Sequence, residues 1–288
     1  MAVIAWGAFV RASGSGAGCG NHWPLCNGVA IPQSPQLATI IEFSHRLTAG
    51  LSTVAVIGLA VGGFRVFPPR HAVRRAAVWA VVFTFLEALI GAGLVLAQKV
   101  ARDQSFARVV YLSVHLINTF LLVGAIALTA WWASGTPRMR WSAAGKWRWA
   151  ALAGLAATLA LGVSGAVTAL GDTLYPSKSL AEGWHNDFAP AANMLIRFRI
   201  YHPLIAILVG GYLGTLAIFA MVRRPGALVT PLGATLLGLI ATQWALGALD
   251  VVLLAPFWLQ LVHLLLADLL WVAAVLLSAA LVSTPGAE

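Results

Sequence analysis

The sequence predicts an all-α integral membrane protein of eight transmembrane helices, built as two parallel-repeat four-helix bundles. Three observations predict this. Hydrophobic residues make up 60% of the 288-residue chain and charged residues 9%, with a mean hydropathy of +0.87, and a soluble domain of this length could not cover its surface with so little charge. The apolar residues fall into separated runs, most of them reaching the ~20 residues that a bilayer crossing needs. Those runs also repeat, one half of the chain against the other.

In order, the apolar spans lie near 2–12, 38–64, 76–98, 109–132, 149–170, 200–222, 231–254 and 259–282. Seven are long enough to cross. The first covers barely half of a hydrocarbon core, so either its true start lies upstream of this numbering or it is a reduced first helix. Three alternate loops carry Arg65, Arg70, Arg74 and Arg75, then Arg138, Arg140, Lys146 and Arg148, then Arg223 and Arg224, with no acid among them. Basic residues accumulate in cytoplasmic loops, which puts these three inside. In the other loops, Lys99, Arg102, Lys178, Arg197 and Arg199 are diluted by Asp103, Asp172, Glu182 and Asp187. An even helix count then leaves both termini in the cytoplasm of a multi-pass cell-membrane protein. The formal charge of +9 follows from this topology. Nucleic acid is a poor partner, because no basic stretch is interleaved with aromatics on a soluble face.

Cys19 and Cys26 are the only cysteines and fall in the first outer loop, with six residues between them. An oxidising exterior favours a disulfide there. Two free thiols, or a metal site drawing on His22, are the alternatives at this stage.

Self-similarity organises the chain. Gly7-Ala8-Phe9-Val10 resembles Gly165-Ala166-Val167-Thr168, and the run from Glu87 to Ala92 resembles that from Gln243 to Ala248. His45 and His202 keep the same step of about 157. Ser113-Val114-His115-Leu116 matches Leu261-Val262-His263-Leu264 at a shorter step, the difference being absorbed where the outer loop at 99–108 becomes a tight turn around Pro256. Residues 1–135 and 149–288 are thus two four-helix halves, joined by a cytoplasmic linker at 136–148. Each half has an even number of crossings, so the repeat is parallel.

His45, His115, His202 and His263 each lie a few residues inside the outer end of an apolar segment. A single membrane histidine is often only an interhelical hydrogen-bonder. Four at repeat-related positions point instead to two bis-histidine haem sites near the outer face, since haem iron accepts axial imidazole and bundles build cofactor sites from facing helices. His22, His71 and His185 lie in loops without repeat partners. Where the halves differ, Glu42 stands three residues before His45 on the same helical face, and its counterpart before His202 is Arg199. One site therefore has a candidate acid/base, unless Glu42 merely pairs with Arg46, and the other a cation suited to a haem propionate. Glu87, facing Gln243 by repeat logic, reads as a buried structural hydrogen-bonder.

The run Arg11 to Gly16, then Cys19-Gly-Asn-His-Trp-Pro-Leu-Cys26-Asn-Gly28, then Ile41-Glu42-Phe43-Ser44-His45-Arg46, resembles the first outer loop and second helix of the haem A synthase family. Gly165 to Pro176 and Tyr201-His202-Pro203 are similar to that family's second half, so the resemblance covers nearly the whole chain. It implies an oxidoreductase that converts the C8 methyl of haem O to a formyl group by successive water-dependent hydroxylations, in haem A biosynthesis for cytochrome oxidase assembly. His45 and His115 would then flank the substrate haem, and His202 and His263 would ligate a resident haem b through its iron. Glu42 matches the family's essential carboxylate, and Cys19 and Cys26 its redox-active or structural pair. Some members carry a further cysteine pair in the second half. This chain has none there, which leaves any mechanism needing both pairs without its second. Haem O synthase and oxidase assembly factors are the implied partners. A non-enzymatic diheme cytochrome b is the competing reading, disfavoured by the Glu42/Arg199 asymmetry. A transporter would need polar groups and broken helices at the midplane, whereas these polar groups sit towards the outer surface.

Overall fold

The computed structural model describes residues 1–283. Seven helices are long and apolar enough to cross a membrane: α2 (Leu37–Val66), α3 (Ala72–Leu96), α4 (Phe106–Ala133), α5 (Lys146–Leu174), α7 (Met194–Arg223), α8 (Val229–Val252) and α9 (Phe257–Val282). The shorter α1 (Ala2–Ala12) precedes them, and α6 (Leu180–Phe188) lies in the loop between α5 and α7. The span expected at 200–222 begins earlier, at Met194. Asn193 caps that end by accepting from the Leu195 amide, and the guanidinium-bearing Arg197 and Arg199 sit in the first turns.

The ends of the helices follow local chemistry. His71 Nδ1 accepts from the Val73 amide at the start of α3, and Ser105 Oγ from the Arg108 amide at the start of α4. Both α3 and α8 end on a left-handed residue, Gln98 (φ 55) and Leu254 (φ 61), after which Lys99 N donates to the Leu94 carbonyl and Ala255 N to the Asp250 carbonyl. The same six-residue closure thus terminates two helices 156 positions apart, although neither uses the glycine that such a cap favours.

Packing joins α2 to α3, α3 to α4, α5 to α7, α7 to α8 and α8 to α9. α9 is the central helix and also touches α1, α4 and α5. Across the middle, Phe120 and Trp271 stack with ring centroids 5.4 Å apart, and Trp271 Nε1 donates to the Phe120 carbonyl at 2.6 Å. Arg11 reaches from α1 to the Ala169 carbonyl (2.6 Å), Thr173 Oγ1 (2.8 Å) and Gln260 Oε1 (3.3 Å), tying α1 to α5 and α9. Small residues allow the close approaches that helices need where lipid supplies no hydrophobic drive. Ala76, Ala77 and Ala80 of α3 are buried, and Gly63 of α2 faces Val73 and Ala77. Buried threonines return their hydroxyls to their own helix, as Thr129 does to the Ala125 carbonyl at 2.7 Å and Thr158 to the Gly154 carbonyl at 2.7 Å. Leu47, Leu51 and Val54 remain exposed along α2, an apolar face suited to lipid.

Candidate functional site: two facing pairs of histidines

The four histidines stand on α2, α4, α7 and α9, eight, nine, eight and six residues past the first residue of their helices. At ~1.5 Å per residue the depth is about 9–14 Å. His202 and His263 face each other with ring centroids 6.5 Å apart and planes at 85°. A metal held between two imidazoles at ~2.0–2.1 Å from each nitrogen puts the ring centres roughly 6 Å apart, so the gap has the size of one iron atom. His202 Nδ1 lies 2.9 Å from Ser164 Oγ, whereas the buried Nδ1 of His263 has no hydrogen-bond partner among the described residues. In the first half, His45 stands on α2 and His115 on α4. His45 Nδ1 is buried without a partner, and His115 Nδ1 lies 3.3 Å from Glu87 Oε1, off the line of a hydrogen bond.

All four rings rest against glycines of the neighbouring helix. A Cβ on Gly7 would lie 3.0 Å from His45 Cε1, and one on Gly165 3.0 Å from His202 Cε1. On Gly91 and Gly247 it would lie 3.8 Å from His115 Cε1 and 3.4 Å from His263 Cε1. The repeated Gly-Ala segments therefore serve as seats for the imidazoles. Gly165→Leu should displace His202 and weaken haem retention by the second half, at the ~1–3 kcal/mol typical of overpacking, or about 5- to 150-fold. Gly211→Leu, which points into open space, should leave it unchanged. Haem titration of the two purified variants makes the comparison.

Glu42 is buried at the head of α2, with both oxygens engaged. Oε1 accepts from Arg46 Nη2 at 2.5 Å and Oε2 from the Cys19 amide at 2.9 Å. Arg46 Nη1 in turn donates to the carbonyls of His22 (2.9 Å), Pro24 (3.3 Å) and Leu25 (2.7 Å). The pair clamps the first outer loop, in which the Cys19 and Cys26 sulfurs are at bonding distance, 1.96 Å, and both residues are buried. A Cβ on Gly18 would strike the Ala38 carbonyl, so this loop lies directly on the start of α2.

Arg199 does the corresponding work at the end of α5 and in the loop between α5 and α7. Nε donates to Asp172 Oδ1 at 2.7 Å, Nη1 reaches Ser177 Oγ and Asp187 Oδ1 at 3.4 Å each, and Nη2 donates to the carbonyls of Gly171 (3.2 Å) and Tyr175. Burial pushes the Asp187 carboxyl above its ordinary range, and the nearby guanidinium opposes that rise. All the hydrogen bonds of Arg199 go to the last turn of α5 (Gly171, Asp172) or to the loop that follows it (Tyr175, Ser177, Asp187).

Glu87 is the residue that sequence reasoning placed in a structural role only. It reaches from α3 to α4, accepting at Oε2 from Asn118 Nδ2 (2.6 Å) and at Oε1 from the Thr119 hydroxyl, beside His115. Its counterpart Gln243 bonds the His263 carbonyl at 3.1 Å and makes no contact with the ring nitrogen. The signal was in the sequence: Asn118-Thr119 follow His115, where Leu266-Ala267 follow His263.

A family model described as cytochrome oxidase assembly protein matches residues 1–275. Curated relatives from two strains of Thermus thermophilus, both named protoheme IX farnesyltransferase, are 45% identical over 276 residues, which is 96% of this chain and 45% of each relative. The heme A synthase of an Exiguobacterium species is 39% identical over 99 residues, 34% of this chain and 33% of that protein. The heme A synthase of Halalkalibacterium halodurans is 43% identical over 93 residues, 32% and 31% of the two chains. The chain spans less than half the length of the Thermus relatives it matches.

Proposed function

Since the chain belongs to the cytochrome oxidase assembly protein family, we propose that it is a haem A synthase, oxidising the C8 methyl of haem O to a formyl group. The observation that carries this reading is the presence of two histidine pairs with unlike surroundings: Glu87 Oε1 lies 3.3 Å from His115 Nδ1, whereas His202 Nδ1 meets the Ser164 hydroxyl. A pair of equivalent electron-carrying haems would need no such difference. Net, the methyl carbon and one water yield the aldehyde with loss of four protons and four electrons, through two hydroxylations and the dehydration of the resulting diol.

His45 and His115 hold the substrate haem between α2 and α4. His202 and His263 hold a resident haem b, whose chemistry when bound is one-electron transfer. The residues fit that group: the two ring centroids stand 6.5 Å apart, about the spacing of two imidazoles that would share one metal ion. Arg199 acts on this site by fixing the end of α5 and the loop between α5 and α7. Glu42 carries protons at the first site, its carboxylate turned towards the disulfide loop. Haem O synthase and oxidase assembly factors are the partners this role needs, with the histidine pairs towards the outer face and both termini in the cytoplasm.

The name of the Thermus relatives raises a second reading, transfer of a farnesyl group to haem. Moving a prenyl group from a diphosphate calls for carboxylates to hold Mg²⁺. Among the described residues no three His, Cys, Asp or Glu side chains gather as a metal-binding group. The test is expression in a host that lacks haem A synthase, with and without a haem O synthase, followed by extraction of the haems. Haem A appearing only when haem O is supplied is the expected result. Haem O formed from haem b alone would establish the farnesyl reading, and neither product would leave the diheme carrier.

A further inference from the structure

We propose that Glu87 is a positioning residue for His115, giving that ring a fixed anionic partner at Nδ1 and so biasing a haem at the first site towards its oxidised state. The inference rests on the haem A synthase reading above and adds to it the residue that makes the two sites electronically different.

The geometry assigns Glu87 this role by fixing the carboxylate before the ring. Asn118 Nδ2 donates to Oε2 at 2.6 Å and also to the Phe83 carbonyl at 2.8 Å, holding α3 against α4 at this level. The Thr119 hydroxyl lies within reach of both Glu87 Oε1 and the His115 carbonyl. With the carboxylate held from two sides, its Oε1 stands fixed 3.3 Å from His115 Nδ1. A ligating histidine that donates its other N–H to a carboxylate becomes a more basic ligand, and the added negative charge stabilises the more positive iron.

None of the other three rings has this partner. Among the described residues Glu87 Oε1 is the one carboxylate oxygen within 4 Å of a ring nitrogen of any of the four histidines; His202 meets the neutral Ser164 hydroxyl, and the Nδ1 atoms of His45, His115 and His263 make no hydrogen bond. In the second half the entire arrangement is replaced: Gln243 for Glu87, Leu266 for Asn118 and Ala267 for Thr119. Three concerted differences at repeat-related positions separate a donor-lined carboxylate from an amide and two apolar side chains. A lower first-site potential favours the departure of electrons from the haem being oxidised towards a second-half haem whose ligating rings have no such carboxylate.

The experiment is potentiometric titration of purified full-length protein, with added haemin as the probe for the first site and the second-half haem as internal reference. In Glu87→Gln, the ratio of reduced to oxidised first-site haem at fixed potential should rise at least tenfold, which is 59 mV for one electron. The second-half haem should not move. The reciprocal variant Gln243→Glu with Leu266→Asn and Ala267→Thr should shift the second-half haem the opposite way, and it carries the test if Glu87→Gln does not accumulate. A first-site haem that His115→Leu removes, yet whose midpoint is the same in Glu87→Gln, overturns this inference alone. A spectrum that His115→Leu leaves unchanged overturns the haem reading of the first site, and this inference with it.

Discussion

Purified protein carrying His202→Leu or His263→Leu is expected to lose the low-spin haem spectrum of its second half, while His185→Leu keeps it. The two rings face each other with centroids 6.5 Å apart, about the spacing of two imidazoles that would share one metal ion. Leucine cannot ligate, so iron left with a single imidazole changes spin state, and retention should fall by well over tenfold, about 1.4 kcal/mol for each factor of ten. The backbone should tolerate the change, because each ring lies against a glycine and leucine is of similar bulk. His185 is exposed on α6 and touches neither pair, which makes it the control for a general effect of losing a histidine. Absorption and electron paramagnetic resonance spectra of the three proteins decide the matter. A full low-spin signal in either α7 or α9 variant would mean that these rings are not the ligands.

The membrane helices were legible because their signal is composition sustained over some twenty residues, which tertiary contacts cannot erase. The short amphipathic α6 lacked that signal. It is nine residues long, and its only local cue is Ser179 followed three positions later by Glu182. Ser179 Oγ accepts from the Glu182 amide, and Glu182 Oε2 from the Lys178 amide, a near relative of the capping box. The histidines were legible from recurrence, a property of the whole chain. Their partners were not, since Ser164 on α5 and Glu87 on α3 meet imidazoles through interhelical packing that no local period encodes. Arg199 shows the same limit. Its charge is visible in the sequence, but its engagement by Asp172 at the end of α5 and Asp187 on α6 depends on how those elements pack against α7.

Glu42→Gln is expected to abolish haem A formation while leaving both haems bound, and its interpretation turns on Arg46. The amide can still accept from the Cys19 N–H, but its NH₂ would then face the guanidinium as donor against donor. The clamp on the His22, Pro24 and Leu25 carbonyls would therefore loosen at the same time as the acid/base group is lost. Arg46→Gln separates the two effects, because it releases the loop and keeps the carboxylate. If Glu42 moves protons, Glu42→Gln should lower turnover by the ~10²–10⁴ that a positioned acid/base contributes. Arg46→Gln should then retain most of its turnover while its Cys19–Cys26 pair is reduced faster by added dithiol. Paired measurements of haem A yield and thiol release in both variants read out each effect. Equal loss of turnover in the two would assign Glu42 to the clamp, since the carboxylate alone would then have made no difference.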